Sequence, residues 1–331
     1  MSLLRGRGGH TATALGDGRV LVIGGYPAES NTSAEIWDPA SDTSSDAGRL
    51  DGRHFHTATP LDDGRVLVVG GLFNERSVAT AQTWDPATGT FSPAGILATP
   101  RLLHSAARLS DGRVLIVGGV EEGTGGLIGE AEIWDPSTRT FSPAGTLAHA
   151  RAWATATTLA DGRVLVAGGP AAAEIWDPKT MSFAAAGKLH EARWFGTATL
   201  LPDGTVLLVG GFGGEGFGSD LPGQATVERW DPATQAFTAA GSLAEGRGMH
   251  QATLLGDGRV LISGGFVDPS PKPTSTTEVW DPSTGSLNPG PSLTTPRGAH
   301  TATLLPDGRV VVIGGDTVGR EAISSVEYLA P

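Results

Sequence analysis

The chain has 331 residues, no cysteine and a formal net charge of −12. The lack of cysteine excludes disulfides and thiol chemistry. The acidic balance argues against nucleic acid as a partner, because the nucleic-acid backbone is itself strongly anionic. More than half of the 23 basic residues occupy two recurring positions, so no basic stripe is expected either.

Membrane and targeting segments are not predicted. No apolar stretch approaches the roughly 20 residues that cross a bilayer, and no hydrophobic segment follows Arg5 and Arg7 as it would in a signal peptide. We therefore expect a cytoplasmic protein without a membrane partner, although a mature secreted form would carry the same features.

A Gly-Gly pair that follows an apolar run recurs at steps of 42 to 54 residues. A period of this length indicates one folding unit repeated along the chain. Seven pairs follow this pattern: Gly24-Gly25, Gly70-Gly71, Gly118-Gly119, Gly168-Gly169, Gly210-Gly211, Gly264-Gly265 and Gly314-Gly315. Because the repeat spans nearly every residue, we predict one domain, residues 1–331, whose function lies where the repeats differ.

The first half of each repeat predicts two strands. Residues 297–305 alternate small, polar and apolar side chains, as a half-buried strand does. Pro306-Asp307-Gly308 is typical of a turn, because Asp bonds its own backbone and Gly accepts positive φ. The run Arg309–Ile313 is rich in β-branched residues, which predicts a second strand buried on both faces.

The second half of each repeat, after the Gly-Gly pair and a variable loop, predicts two further strands. The third strand is represented by Glu130–Trp134, which Asp135-Pro136 ends. A turn at residues 137–141 leads to a fourth strand that ends near Leu147. The whole pattern predicts all-β, four-stranded antiparallel sheets without helix.

The motif GRVLVxGG followed by ExWDPxTxxF resembles the Kelch repeat over nearly the whole chain. Six repeats carry Trp-Asp-Pro, at Trp37, Trp84, Trp134, Trp176, Trp230 and Trp280, and the seventh has Glu327-Tyr328-Leu329 instead. The resemblance implies a seven-bladed Kelch-like β-propeller, in which stacked sheets bury each other's faces and leave few long edges. Each Trp is expected to be buried between sheets.

The two chain ends predict an incomplete last blade. Residues 2–7 match residues 242–247, which lie at the end of a fourth strand, and the chain finishes just after a third strand at Pro331. Blade 7 is therefore expected to lack most of its outer strand, with the N-terminus beside it.

Every repeat opens with Arg, and five repeats have His three residues later: His10, His56, His104, His250 and His300. A ring of Arg and His around a channel mouth is typical of an anion site or a metal site. Glutamate recurs almost in step with the Arg, however, which favours repeated structural Arg–Glu pairs over an anion site. The His residues are likewise expected to bond the local backbone. A metal is not predicted, because its ligands must converge within about 2.0–2.1 Å of one ion.

Two positions vary although the surrounding repeat is strict. The second residue after the opening Arg is large and apolar in Phe55, Leu103, Trp153, Phe195 and Met249, and the residue after Gly-Gly is apolar in Tyr26, Leu72, Val120, Pro170, Phe212 and Phe266. Apolar residues gathered at one opening form a cup that binds ligands. The alternative is that they plug the channel or pack beneath the loops.

Blades 4 and 5 depart furthest from the repeat. Ala154 and Gly196 replace His, the linkers contain His149, His190 and Glu191, and Trp153, Trp194 and Phe195 stand together. The loop of blade 4 is short (170–173), whereas that of blade 5 is long and glycine-rich (212–227), which is typical of an entrance and its lid. His190 and Glu191 fit proton transfer if they point inward; solvated linker residues are the alternative.

Some chemistries are excluded. The propeller of galactose oxidase is similar in fold, but its copper radical site needs a Cys joined to a Tyr, and this chain has no Cys and only Tyr26 and Tyr328. The glycine-rich segment 213–218 has neither the helix nor the lysine of a phosphate loop. Kelch-like sialate epimerases imply that an isomerase is conceivable, but none of their motifs transfers residue by residue.

Two function classes remain. One is a small-molecule pocket, as a cofactor-free isomerase, lyase or cyclase; the other is a protein-interaction module on the same face. For the pocket, the predicted catalytic residues are His190, Glu191, His250 and His104. The predicted ligand-binding residues are Trp153, Trp194, Phe195, Phe55, His56, Leu103, Met249, Phe212, Phe266, Tyr26, Arg193 and Arg247. The sequence does not identify the substrate or the partner.

Overall fold

The computed structural model describes residues 1–27, 31–123, 125–214, 221–267 and 272–331. They form two compact units: unit 1 comprises Met1–Ala152 with Ala322–Val326, and unit 2 comprises Trp153–Glu321 with Glu327–Pro331. Both units consist of short antiparallel strands, which confirms the all-β prediction. Within these ranges, no helix has the length and apolar character needed to cross a bilayer.

Among its described residues, unit 1 contains three four-stranded sheets, with the orders β1-β2-β3-β4, β10-β9-β6-β5 and β11-β12-β15-β16, and two small hairpins, β7-β8 and β13-β14. The strands are β1 (Thr11–Ala14), β2 (Val20–Ile23), β3 (Ser33–Asp38), β4 (Thr43–Arg49), β5 (Thr57–Pro60), β6 (Val66–Val69), β7 (Leu72–Phe73), β8 (Arg76–Ser77), β9 (Thr80–Asp85), β10 (Thr90–Ile96), β11 (Ser105–Arg108), β12 (Val114–Val117), β13 (Val120–Glu121), β14 (Gly126–Leu127), β15 (Glu130–Asp135) and β16 (Thr140–Thr146). The hairpins occupy loops for which the sequence predicted no structure.

Unit 2 is built in the same way. In its described part, three sheets have four strands, with the orders β17-β18-β19-β20, β21-β22-β23-β24 and β26-β27-β30-β31, and a small sheet has the order β25-β28-β29. The strands are β17 (Thr155–Thr158), β18 (Val164–Ala167), β19 (Ala172–Asp177), β20 (Ser182–Lys188), β21 (Thr197–Leu200), β22 (Val206–Val209), β23 (Thr226–Asp231), β24 (Ala236–Ser242), β25 (Arg247–Gly248), β26 (Gln251–Leu254), β27 (Val260–Ser263), β28 (Phe266–Val267), β29 (Lys272–Pro273), β30 (Thr277–Trp280) and β31 (Leu287–Pro289).

The last sheet has three strands within the described residues, in the order β32-β33-β34, as expected for the last repeat. Its strands are β32 (Thr301–Leu304), β33 (Val310–Ile313) and β34 (Val326–Leu329), and a single 3₁₀ turn covers Val318–Arg320. Near the N-terminus, Ser2 forms an antiparallel bridge with Ser325.

The second strand of each four-stranded sheet forms the core. All four residues of β12, Val114–Val117, are buried, which explains why the sequence there is continuously apolar rather than alternating. The turn before it closes locally, because the Asp111 carboxylate accepts a hydrogen bond from the Arg113 backbone N–H at 3.1 Å. Gly112 supplies the positive φ of 84° that this turn requires.

The Trp of each Trp-Asp-Pro motif is almost completely buried, which confirms that prediction. The Trp134 indole N–H donates to the Ala94 carbonyl oxygen at 2.8 Å, and Trp230 donates to Ala186 at 2.9 Å. In both cases, the acceptor belongs to the fourth strand of the preceding repeat, so the indole fills the layer between two sheets and also joins them by a hydrogen bond.

A β-bulge presents the carbonyl group that each of these indoles needs. In β10 the register with β9 shifts between Pro93 and Ile96, so Ala94 and Gly95 form the bulge. Gly95 has a φ of 106°, and a Cβ there would lie 2.6 Å from the Arg139 carbonyl oxygen. Glycine is therefore required at the bulge both by its backbone conformation and by the close approach of the neighbouring turn.

Candidate functional site

The Gly-Gly pair and the opening Arg of the next repeat hold neighbouring repeats together. Gly211 donates its N–H to the Arg247 carbonyl oxygen at 2.8 Å. A Cβ on Gly210 would lie 2.6 Å from that oxygen, so only glycine allows the two backbones to approach so closely. The same bond joins Gly25 to Arg53, Gly71 to Arg101, Gly119 to Arg151 and Gly265 to Arg297.

The opening Arg side chains are buried, and most of them form the predicted ion pairs. Five of them pair with the recurring glutamate of the same repeat: Arg7–Glu35, Arg101–Glu132, Arg193–Glu228, Arg247–Glu278 and Arg297–Glu327. Arg53 bonds the amide oxygen of Gln82 instead, at 3.1 Å. A buried guanidinium requires such a partner, because an unpaired buried charge is strongly unfavourable.

This geometry does not fit the ligand-binding role expected for Arg193 and Arg247. Each is 1% exposed, and each also donates to a Gly-Gly carbonyl oxygen, that of Gly210 or Gly264, at 3.1 Å. Burial lowers the pKa of both guanidinium groups, while the glutamate partner opposes that shift. Both side chains therefore direct terminal guanidinium nitrogens to acceptors within the protein framework.

The recurring histidines are also buried, so they do not fit the catalytic role expected for His104 and His250. The Nε2 atoms of these two residues share hydrogen bonds with Thr57 and Thr197, at 2.9 and 3.0 Å. Burial, with a nearby Arg as the next cause, lowers the pKa of each imidazole to about 3. Neutral imidazoles enclosed in this way support the sheets rather than exchange protons with a ligand.

His56 belongs to the same structural set. Its Nε2 shares a hydrogen bond with Thr11 at 2.9 Å. Burial and then the Arg53 charge lower its pKa well below the usual value. The buried His56 side chain therefore presents no exposed polar atom for the ligand contact that was predicted for it.

The variable position two residues after Arg has an unusual backbone. We call it the left-handed position, since φ lies between 48° and 59° in all seven repeats: Gly9, Phe55, Leu103, Trp153, Phe195, Met249 and Ala299. All seven residues are partly exposed. Such a conformation costs a side-chain-bearing residue about 1–2 kcal/mol relative to the usual region, so glycine would be the least strained residue at every one of them.

Backbone hydrogen bonds join successive left-handed positions inside each unit. In unit 2, Met249 donates its N–H to the Phe195 carbonyl oxygen at 3.0 Å, and Ala299 donates to Met249 at 2.9 Å. In unit 1, Phe55 donates to Gly9 at 3.0 Å and Leu103 donates to Phe55 at 3.1 Å. The backbone is therefore satisfied by the repeat, which leaves the identity of the side chain free to vary.

The aromatic residues of blades 4 and 5 form one cluster in unit 2. The unit 2 aromatic cluster consists of Trp153, Trp194, Phe195 and Phe212. The rings of Trp153 and Phe195 have centroids 4.6 Å apart, and Phe212 meets Phe195 edge-on at 6.1 Å. Trp153, Phe195 and Phe212 are partly exposed, so they provide the accessible apolar surface of the cluster.

Trp194 has a different role from its neighbours. It is 4% exposed and meets Trp153 edge-on at 6.3 Å. Its backbone pairs with Phe212, and its indole N–H donates to the Gly214 carbonyl oxygen at 3.1 Å. Trp194 therefore supports the cluster and the start of the loop after β22 rather than forming the exposed wall expected of it.

The predicted lid of blade 5 can be described only in part. Residues 215–220 of the 212–227 loop lie outside the described residues, so its role as a lid stays a prediction. At its start, Phe212 packs over Gly248, where a Cβ would collide with the ring, and Phe266 packs over Gly298 in the same way. Phe266 is buried, so it does not provide the exposed lining predicted for it.

Unit 1 contains a second group of rings, which the sequence prediction recognised only in part. Tyr26, His54 and Phe55 lie with ring centroids 4.9 to 5.9 Å apart, and all three are partly exposed. Burial lowers the pKa of His54. His54 follows an opening Arg directly, the position that Trp194 occupies in blade 5, and that correspondence was the available signal. The predicted convergence of all apolar positions on one mouth stays a prediction.

His190 is the predicted catalytic residue whose surroundings fit chemistry best. Its side chain is 63% exposed, and its Nδ1 atom lies 2.6 Å from an oxygen of the Glu228 carboxylate, which is 2% exposed. The same oxygen accepts the His190 backbone N–H at 3.1 Å. Glu191 is partly exposed on the same connection.

The described residues do not fit a metal centre. No three His, Asp or Glu side chains within these ranges come together as a metal site requires, and the chain has no cysteine. The copper radical site implied by the resemblance to galactose oxidase therefore lacks both its Cys–Tyr pair and a candidate set of ligands.

Comparison with known proteins supports the fold. No protein-family model and no curated protein matches the chain. A fungal alcohol oxidase of the AA5 family, solved in complex with copper, superposes with a TM-score of 0.79 at 20% identity, covering 99% of this chain and 74% of that one. YjhT superposes with a TM-score of 0.63 at 13% identity, covering 98% and 95%. At these sequence identities, the similarity establishes the fold alone. The chain has an all-β fold like that of these propellers, consistent with a Kelch-like or galactose-oxidase-like propeller.

Proposed function

We propose that this protein binds a small, partly apolar or aromatic molecule on the unit 2 aromatic cluster. The observation that carries the proposal is the choice of residue at the left-handed position. Glycine would be the least strained residue there, yet Trp153 and Phe195 place large rings at this position and remain partly exposed. Backbone strain retained at an exposed aromatic surface is typical of a site whose side chains are needed for function.

The cluster offers a ligand an apolar surface with a fixed geometry. Trp153 and Phe195 are tilted by 47° to each other, so a planar ligand can contact one face and one edge. A two-ring ligand that buries about 200 Å² of apolar surface gains about 5 kcal/mol before the cost of association.

We propose binding and not turnover for the cluster itself. None of the four residues expected to act in isomerase, lyase or cyclase chemistry belongs to the cluster. His104 and His250 are buried, with their pKa values lowered to about 3 by burial, whereas His190 and Glu191 are accessible on a neighbouring connection. A protein-interaction module on the same surface is the alternative, and the following experiment separates the two.

Trp153→Gly and Ala299→Gly form a matched pair, because both residues occupy the left-handed position in unit 2. We expect Trp153→Gly to weaken the binding of the fluorescent probe 2-methylnaphthalene at least tenfold and Ala299→Gly to leave it unchanged. The melting temperature of Trp153→Gly should stay close to wild type. Relief of about 1–2 kcal/mol of strain offsets lost ring contacts of about 0.5–1.5 kcal/mol and added unfolded-state entropy of about 0.4–1 kcal/mol.

Equal probe affinity in the two variants would contradict the proposed site. Absence of probe binding to wild type would favour the protein-interaction module instead.

A further inference from the structure

His190 brings an imidazole to the buried glutamate of its repeat, and no other repeat has His at this position. In three other repeats, the residue three places before Arg is Leu or Ala and bonds the carboxylate through its backbone N–H alone: Leu4 to Glu35, Ala98 to Glu132 and Ala244 to Glu278. In a fourth repeat, the Thr294 backbone N–H and side chain both bond Glu327. His190 makes the same backbone bond to Glu228 and adds its imidazole at 2.6 Å. The bond between the backbone and the buried glutamate does not require an imidazole, because it forms in other repeats that have Leu or Ala at this position.

The surroundings fix which nitrogen of the imidazole carries the proton. The Glu228 side chain is buried and forms an ion pair with Arg193, and a carboxylate in such a pair only accepts hydrogen bonds. Nδ1 of His190 must therefore be the donor. In the neutral ring, this leaves Nε2 as a hydrogen-bond acceptor on a side chain that is 63% exposed.

The position of His190 connects it to the unit 2 aromatic cluster. His190 and Trp194 lie four residues apart on the connection between β20 and β21, which limits their Cα separation to about 14 Å. Trp194 contacts Trp153 and donates to the loop after β22. The strand that follows this loop, β23, contains Glu228, so the same two segments hold both the imidazole and the rings.

We infer that His190 is a specificity-determining residue that recognises a hydroxyl group on the ligand of the aromatic cluster. Nε2 accepts the hydrogen bond from the hydroxyl group, Glu228 orients the imidazole, and the rings contact the apolar part of the ligand. The inference rests on the proposed function and narrows its ligand class to hydroxylated aromatic molecules, such as phenols. Glu228 acts here as a positioning residue.

The test compares 2-naphthol with 2-methylnaphthalene, which differ by a hydroxyl group in place of a methyl group. We expect His190→Ala to weaken 2-naphthol binding about three- to tenfold, the usual contribution of one hydrogen bond, and to leave 2-methylnaphthalene binding unchanged. Ala244→His is the matched control, because it places an imidazole at the equivalent position beside Glu278. It should change neither affinity.

Imidazole ¹⁵N chemical shifts test the orientation of the ring separately from the binding measurements. Wild-type His190 should show a protonated Nδ1 and an unprotonated Nε2, and Glu228→Gln should lose this preference. Equal effects of His190→Ala on both probes, no effect on either, or a protonated Nε2 in neutral wild-type protein would each overturn the inference while the proposed function stands. Failure of wild type to bind either probe would overturn both.

Discussion

Acidification from pH 7 to pH 5 should destabilise this protein through its buried histidines. The pKa of His104 and of His250 in the folded chain is about 3 because of burial, whereas an exposed imidazole in the unfolded chain titrates near 6.5. Between these values, the unfolded state binds more protons, so the free energy of unfolding falls as the pH falls. Each histidine removes about 1.4 kcal/mol per pH unit below 6.5, or about 2 kcal/mol at pH 5.

Urea unfolding of wild type and His250→Gln at both pH values measures this contribution. Glutamine keeps a polar group near Thr197 but takes up no proton, so the variant should be less stable at pH 7 and yet lose about 2 kcal/mol less on going to pH 5. Carboxylates do not obscure the result in this window. The hydrogen bond from Arg113 lowers the pKa of Asp111, for example, so that group titrates at a still lower pH.

If His250→Gln and wild type lose the same stability between pH 7 and pH 5, the buried histidine is not the source of the acid sensitivity, and the explanation fails.

Three further predictions concern the framework and the site. Trp134→Ala should lower the free energy of unfolding, measured in urea, by about 3–5 kcal/mol. Trp134→Phe keeps an aromatic ring and loses mainly the indole N–H, so its loss should be clearly smaller. Equal losses in the two variants would show that the packing of the ring does not provide the stability. Gly210→Ala should lower the free energy of unfolding by about 2–3 kcal/mol, because of left-handed strain and a lost backbone hydrogen bond. This loss should exceed that of Gly308→Ala, whose Cβ would meet no atom within 4 Å. A larger loss for Gly308→Ala in urea unfolding would show that the close approach at Gly210 does not limit stability. Trp194→Ala should lower the melting temperature and probe affinity together because Trp194 is buried. Trp153→Gly, in which relief of backbone strain offsets the lost ring contacts, should lower affinity alone; a matching loss of stability in Trp153→Gly would assign that ring to the core.

Much of the framework could be predicted from the sequence, because it is specified locally. The strand pattern, the Asp-Gly turns and the burial of Trp134 follow from periodicity and turn chemistry, which depend on residues close together in the chain. Pairing of the opening Arg with Glu also followed, since both recur at the same interval. The same pattern occurs in most repeats, so each of these predictions had several independent supports. One irregular repeat therefore did not change the prediction.

The candidate site could be predicted only in outline. The departure of blades 4 and 5 from the repeat identified Trp153 and Phe195, but sequence reasoning gave Trp194, Phe266 and His250 the same exposure as their neighbours. Exposure depends on packing against residues far along the chain: Trp194 is covered by the loop at Gly214, and His250 lies against Thr197. No local pattern contains that information.

The sequence by itself therefore determined the repeated all-β architecture and the positions at which variation is allowed. The tertiary structure decided which of the varied side chains remain accessible, and it alone brought the Glu228 carboxylate against His190, 38 residues away. The physical reason is range: strand period, turn chemistry and β-branched runs act between near neighbours, whereas burial, ion pairing and imidazole orientation depend on contacts that form only when distant strands pack together.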